Sequence, residues 1–121
     1  MSNIRRQRIL VVDDEPLVCE SVAMLLSYEG HDVETAGSAE EALIKHAKTD
    51  FDVVITDFSM PGMKGDQLSR ELKDRAPSKP VIMLTAFPPS LPPDTIDLVL
   101  TKPFFVDTLR TGLTKVLKKA A

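Results

Sequence analysis

Apolar residues in this chain fall into short unbroken runs, each followed by a stretch where they recur at helical spacing. The runs are Ile9-Leu10-Val11-Val12, Val53-Val54-Ile55, Val81-Ile82-Met83-Leu84 and Leu98-Val99-Leu100. Near-continuous Val, Ile and Leu suit strands buried on both faces. A weaker strand is expected at Asp32–Ala36. Strand and helix patterns alternate along the chain, which predicts βαβ units and an α/β fold built on a parallel sheet.

The helical stretches carry their own punctuation. The first should begin near Pro16, since proline is tolerated in a first turn. Its apolar stripe is Val18, Val22, Leu25 and Leu26, and Gly30 ends it. Ser38 caps a second helix, with Glu41 three residues on to complete a capping box and Ala39, Ala42, Leu43 and Ala47 as its inner face. Pro61-Gly62-Met63-Lys64-Gly65 is a turn by composition, and the helix after it turns Leu68 and Leu72 inward. The last helix, over 106–119, buries Leu109, Leu113, Val116 and Leu117, with Gly112 weakening it slightly. Between the last two strands, residues 88–93 hold four prolines. Proline lacks an amide donor and biases its predecessor away from helical angles. That piece is expected to be an extended or turn-rich loop, with at most one helical turn at Asp94-Thr95-Ile96.

At 121 residues the chain is expected to be a single domain, 1–121, without an effector domain. With one Tyr and no Trp, aliphatic residues must fill the core. A net charge of −3 gives no reason to expect nucleic acid or an anionic membrane as partner. The basic clusters Arg5, Arg6, Arg8 and Lys115, Lys118, Lys119 read as a solvated terminus and an exposed helix end. A single cysteine, Cys19, excludes an internal disulfide and a cysteine-based zinc site, and is expected to be buried or half-buried in the first helix. No stretch approaches the ~20 apolar residues of a membrane span, and no signal-peptide core is recognisable. A cytoplasmic location follows as the default expectation.

The strand ends carry the chemistry. The first run leads into Asp13-Asp14-Glu15, the third strand into Asp57, the fourth into Thr85 and the fifth into Thr101-Lys102-Pro103. In an open parallel sheet those ends converge on the edge where ligands bind. Three carboxylates close together repel unless a cation sits among them. Oxygen-only ligands favour Mg²⁺ (or Mn²⁺) over zinc, and Mg²⁺ is commonly completed by phosphate oxygens. Lys102 supplies a point charge for a phosphoryl oxygen, and Thr85 a hydroxyl. Asp57 remains as a nucleophile able to form an aspartyl-phosphate. Taken singly, the Asp pair reads as helix caps, Thr85 as a turn residue and Lys102 as a surface lysine. It is their conjunction at four strand ends that points to a site.

Ile9-Leu10-Val11-Val12-Asp13-Asp14-Glu15-Pro16, Asp57-Phe58-Ser59-Met60-Pro61-Gly62-Met63-Lys64-Gly65, Leu84-Thr85-Ala86 and Thr101-Lys102-Pro103-Phe104 together resemble the receiver domain of bacterial two-component response regulators. The resemblance covers nearly the whole chain. It implies a flavodoxin-like, CheY-like doubly wound five-stranded parallel sheet in the order 2-1-3-4-5. It also implies that Asp57 is the phospho-acceptor, and that Asp13 and Asp14 hold Mg²⁺ with Asp57 and the backbone carbonyl of Ser59. Thr85 and Lys102 would then bind the phosphoryl oxygens, and Pro103 would follow a cis peptide bond. The implied donor is a phospho-histidine of a sensor kinase or histidine phosphotransfer protein. The output is contact with a downstream protein, and a homodimer is compatible with it. Such a domain catalyses only its own phosphorylation and dephosphorylation.

Two departures stand out. The interval from Thr85 to Lys102 is shorter than is usual for the family and proline-filled, so the family's fourth helix is predicted to be short or absent. Val99 stands where receivers carry an aromatic that swings inward on activation. Phosphorylation is therefore expected to reorganise the 87–95 loop, with Phe87 either a mobile aromatic or, as aromatics more commonly are, a packing anchor. A receiver fold that binds its partner regardless of phosphorylation is the alternative function. A phosphohydrolase of haloacid-dehalogenase type is disfavoured, because Ser59 occupies the place of its second Asp.

Overall fold

The structure is a computed structural model that describes residues 5–120, and the side chains of 5–117. Lys118 and Lys119, read from the sequence as part of a basic helix end, have side chains outside the described residues. The strands are β1 (Arg8–Val12), β2 (Asp32–Ala36), β3 (Val53–Thr56), β4 (Val81–Thr85) and β5 (Leu98–Thr101). The helices are α1 (Pro16–Tyr28), α2 (Ala39–Lys48), α3 (Gly65–Arg75) and α4 (Val106–Ala120). All five strands are parallel, in the order β2-β1-β3-β4-β5, as expected.

Alternate residues of each central strand serve opposite faces. Ile9, Val11, Ile55, Ile82 and Leu84 pack with Val22, Leu26, Leu109 and Leu113 of α1 and α4. Leu10, Val12, Val54 and Val81 pack with Ala39, Ala42, Leu68 and Leu72 of α2 and α3. Burying each large aliphatic side chain contributes about 1.5–3 kcal/mol, so these two layers hold the strand ends in register. Burial on both faces is complete for Ile9–Val12 of β1 and for all of β3 and β4. It fails for β5, where Leu98, Val99 and Leu100 are only partly buried, because the strand lies at the sheet edge.

Local expectations hold with a few corrections. Gly30 closes α1 at φ 95°, a left-handed conformation that suits glycine. The Ser38 hydroxyl accepts from the Glu41 amide at 3.1 Å. The other arm of the capping box is displaced, since the Glu41 carboxylate accepts from the Gly37 amide instead of that of Ser38. Ala47 faces solvent, because the last turn of this short helix overhangs the sheet. Leu117 is only partly buried.

No helix joins β4 to β5. One hydrogen-bonded turn, from the Ile96 amide to the Pro93 carbonyl, is all the helical character there. The second half of the connection takes over part of a helix's work. Ile96 packs against the α2–α3 layer. Thr95 shares a 2.6 Å hydrogen bond with the buried hydroxyl of Ser69. Asp97 accepts from Lys73 Nζ and from the Val81 amide, each at 2.7 Å. The first half stays outside: Phe87 is 85% exposed, which removes its reading as a core or loop anchor. No helix among the described residues is long and apolar enough to cross a membrane.

Candidate functional site

The C-terminal ends of β1, β3 and β5 bring Asp13, Asp57 and Lys102 together. The Asp57 amide donates to the Val12 carbonyl at 2.9 Å, and the Asp13 amide to the Ala36 carbonyl at 3.1 Å, so the sheet ladder itself sets both carboxylates. Asp13, Asp14 and Asp57 each offer an oxygen within 4.8 Å of the others. Asp13 and Asp57 are buried and Asp14 is exposed, giving the cluster a closed floor and an open rim. Neither Asp13 nor Asp14 caps α1: its N-cap is Glu15, and Asp13 Oδ1 accepts the Glu15 amide at 3.0 Å.

Lys102 is no surface lysine. Its side chain is 18% exposed, its Nζ donates to Asp13 Oδ2 at 3.1 Å, and it lies 3.8 Å from Asp57 Oδ1. The Lys102–Pro103 peptide is cis, as the resemblance implied. The Lys102 amide donates to the Thr85 carbonyl at 2.8 Å, tying the ends of β4 and β5 together. Thr85 is buried, and its hydroxyl accepts from the Phe87 amide at 3.2 Å. It therefore serves as a turn residue while standing at the same sheet edge.

Burial pushes the Asp57 carboxyl above its ordinary range. The Lys102 charge opposes that shift, the Asp13 charge adds to it, and the Phe58 and Ser59 amides oppose it. The Phe58 amide donates to Asp57 Oδ1 at 2.8 Å. Ser59 lies exposed in the loop that follows.

That loop is held at both ends by residues whose role the sequence did not disclose. Gly65 opens α3 with its amide on the Phe58 carbonyl at 3.0 Å. A Cβ at Gly65 would collide with the Asp57 carbonyl oxygen and stand 3.0 Å from Phe58 Cα. A glycine at the first position of a helix, eight residues past a candidate nucleophile, was the available signal. Glu40, on α2, accepts from the Met63 amide at 3.3 Å beneath Gly62. Nothing in the local pattern connects those two positions. Cys19 is buried in α1 with its thiol directed to the Asp13 carbonyl at 3.3 Å, a packing role.

The donor set fits a hard divalent cation, because it is made of carboxylate oxygens alone among the described residues. A cation there would also offset the cost of keeping Asp57 ionised in a buried place.

A doubly wound sheet of this order with an acidic cluster and a lysine at one edge defines a class of signalling domain, and the comparisons agree. The model of the response regulator receiver domain matches residues 9–114, so the chain belongs to that family, the receiver domains of two-component response regulators. It is 35% identical over 118 residues to the probable transcriptional regulatory protein TcrX of Mycobacterium tuberculosis, covering 92% of this chain and 50% of that one. It is 42% identical over 95 residues to the DNA-binding response regulator MtrA of Mycolicibacterium smegmatis, covering 78% and 39%. The chain thus spans half or less of the length of these relatives. Among solved structures, chemotaxis protein CheY4 of Vibrio cholerae superposes with a TM-score of 0.88 at 32% identity, over 93% of this chain and 100% of that one. Response regulator TrrA of Thermotoga maritima, solved in complex with Mg(2+)-BeF, gives 0.85 at 36% identity, over 92% and 99%. Receiver domains are in general signalling modules, and an acidic pocket that binds Mg²⁺ is typical of them.

Proposed function

We propose that this domain accepts a phosphoryl group on Asp57 from a phospho-histidine of a sensor kinase or histidine phosphotransfer protein. One Asp57 carboxylate oxygen bonds to phosphorus as the P–N bond of the donor breaks, and the departing imidazole takes up a proton. Asp13, Asp14, Asp57 and the Ser59 carbonyl would hold Mg²⁺ (or Mn²⁺), which supplies charge neutralisation for the transferred group. The chain's own residues do the rest. The sheet ladder fixes Asp57 at the pocket floor. The Lys102 ammonium neutralises a phosphoryl oxygen, and the Thr85 hydroxyl donates to another once it leaves the Phe87 amide. Phosphorylation would be read out by a downstream protein.

The observation that carries this reading is the convergence of Lys102 on both Asp13 and Asp57 inside one cluster of three carboxylates. A receiver fold used only as a constitutive contact module has no need of that arrangement, so the alternative is not favoured. Incubation with acetyl phosphate and Mg²⁺ followed by intact-mass analysis tests it. One added phosphate is expected on the native chain and none on Asp57→Asn; a native chain that stays unmodified overturns the reading.

A further inference from the structure

β2 has one neighbour, β1, so its other side is an open sheet edge. The direction of backbone hydrogen bonding alternates along a strand. The Asp32 amide donates to the Gln7 carbonyl at 2.9 Å, and the Ala36 carbonyl accepts from the Asp13 amide at 3.1 Å, so the even-numbered residues face β1. Val33 and Thr35 therefore turn their backbone groups outward. The Thr35 carbonyl accepts from Lys45 Nζ on α2. The Val33 amide and carbonyl and the Thr35 amide have no partner among the described residues. Natural edge strands are commonly blunted by lysine. Here Lys45 covers one carbonyl and leaves the rest of the edge open.

Two hollows follow one another along this edge. One of about 430 Å³ is lined in part by Val33 and Glu34, and one of about 260 Å³ in part by Thr35, Glu20 and Glu41. Side chains of β2 divide by face. Val33 packs against the α1–α4 layer, while Glu34 lies on the opposite face and is exposed. Neither Glu34 nor Glu20 has an ion pair among the described residues. The charge selects the occupant. An antiparallel second copy with Val33 opposite Thr35 would set Glu34 against its own counterpart, and like charges directly opposite destabilise a pair. A basic residue in that place makes a favourable pair instead.

We propose that the β2 edge receives an extended basic segment of a partner protein as a sixth strand, with its lysines or arginines opposite Glu34 and its β-branched residues beside Val33 and Thr35. Backbone hydrogen bonds supply the affinity and alternate side chains the selectivity. Lys45 yields the Thr35 carbonyl to an incoming amide and turns to Glu41, already 3.5 Å away. β1 separates this edge from β3 and Asp57, so docking requires no phosphoryl group.

The probe is a capped, fluorescently labelled peptide, Lys-Val-Lys-Val-Lys-Val-Lys. Saturable one-to-one binding by anisotropy is expected. N-methylation separates an added strand from a loose charge contact, because only alternate amides of the peptide face β2. Methylating one set, valines or lysines, should weaken binding at least about tenfold, and methylating the other should leave it near the parent value. On saturation the Val33 and Thr35 amides should exchange more slowly, while the Asp32 amide, already in the ladder, changes little. Glu34→Lys should weaken binding several-fold. Lys45→Met, which frees the Thr35 carbonyl, should tighten it. Val33→Pro removes an outward donor and no bond to β1, so it should abolish binding. The methylated peptides need no variant, so they decide the matter even where Val33→Pro perturbs the fold. No binding at millimolar peptide, equal loss with both methylated sets, or protection confined to residues outside β2 would each overturn the proposal.

Discussion

The Lys102 ammonium donates to Asp13 at 3.1 Å and stands farther, at 3.8 Å, from the proposed acceptor Asp57. In the absence of metal the lysine thus neutralises a proposed metal ligand. A divalent cation would then compete with Lys102 for Asp13, and its binding would free the lysine for the proposed phosphoryl group. Lys102→Ala is expected to bind Mg²⁺ several-fold more tightly and to take up phosphate about 100-fold more slowly, as when one donor to a developing oxyanion is lost. Calorimetric Mg²⁺ titration at fixed ionic strength and a mass-resolved acetyl phosphate time course measure the two effects. Equal Mg²⁺ affinity in the variant would show that no such competition exists.

Gly65 bears on Asp57 through the backbone. Because a Cβ there would overlap the Asp57 carbonyl oxygen, Gly65→Ala must move the Asp57 peptide or the start of α3. A misplacement of about 1 Å at a reacting group can cost 100-fold in rate. Gly65→Ala is therefore expected to slow phosphorylation by tenfold or more. Gly112→Ala is the matched control, since its Cβ would meet only the ends of the Leu98 and Leu100 side chains, which can yield. It should lower the melting temperature and leave the phosphorylation rate unchanged. Equal rates in the two variants, both folded by circular dichroism, would remove the positioning role.

The parts of this architecture that were legible in the sequence are those governed by short-range rules. Unbroken runs such as Val53-Val54-Ile55 and Val81-Ile82-Met83-Leu84 specify buried strands, and Pro16 and Gly30 bound α1. Strand alternation with helices then specifies a parallel sheet, and a parallel sheet places Asp13, Asp57 and Lys102 at one edge. Four prolines foretold the missing helix between β4 and β5. What stayed hidden depends on distant pairs. No periodicity reveals that Asp97 serves Lys73 and the Val81 amide, or that Glu40 supports Met63 across another helix. Phe87 was misjudged because aromatic residues usually pack. Here the prolines carry the chain away from the core, and the side chain stays in solvent.

Asp57 illustrates a site maintained at the expense of stability. Burial raises its carboxyl above the ordinary range, near 3.9 in an unfolded chain, so the folded state binds the proton more tightly. The linked stability is fully present below that ordinary value and is lost as pH rises through the raised folded value. At neutral pH the ionised group therefore weighs against folding. Asp57→Asn, which cannot ionise, is expected to melt a few degrees higher than the native chain at pH 7 without metal. The advantage should vanish toward pH 3, and shrink when Mg²⁺ is added at neutral pH. Thermal melts across that range read the outcome directly, and a variant less stable than the native chain at pH 7 would reverse the argument.

Asp97 divides the β4–β5 connection into an anchored half and a free one. Its carboxylate satisfies the Val81 amide and Lys73 together, each at 2.7 Å. Asp97→Ala leaves a part-buried amide without a partner, at a cost of about 1–3 kcal/mol. The Lys73 pair, being partly exposed, adds little to that figure. The variant should melt several degrees lower, and amides 94–97 should exchange faster. The proposed phosphorylation would act on the other half. Drawing the Thr85 hydroxyl onto a phosphoryl oxygen removes the acceptor of the Phe87 amide, now held at 3.2 Å. With beryllium fluoride and Mg²⁺, exchange is expected to rise at Phe87 and its neighbours in 86–91, while 95–97 stay protected. Identical exchange across 86–97 in both states would leave this connection outside the switch.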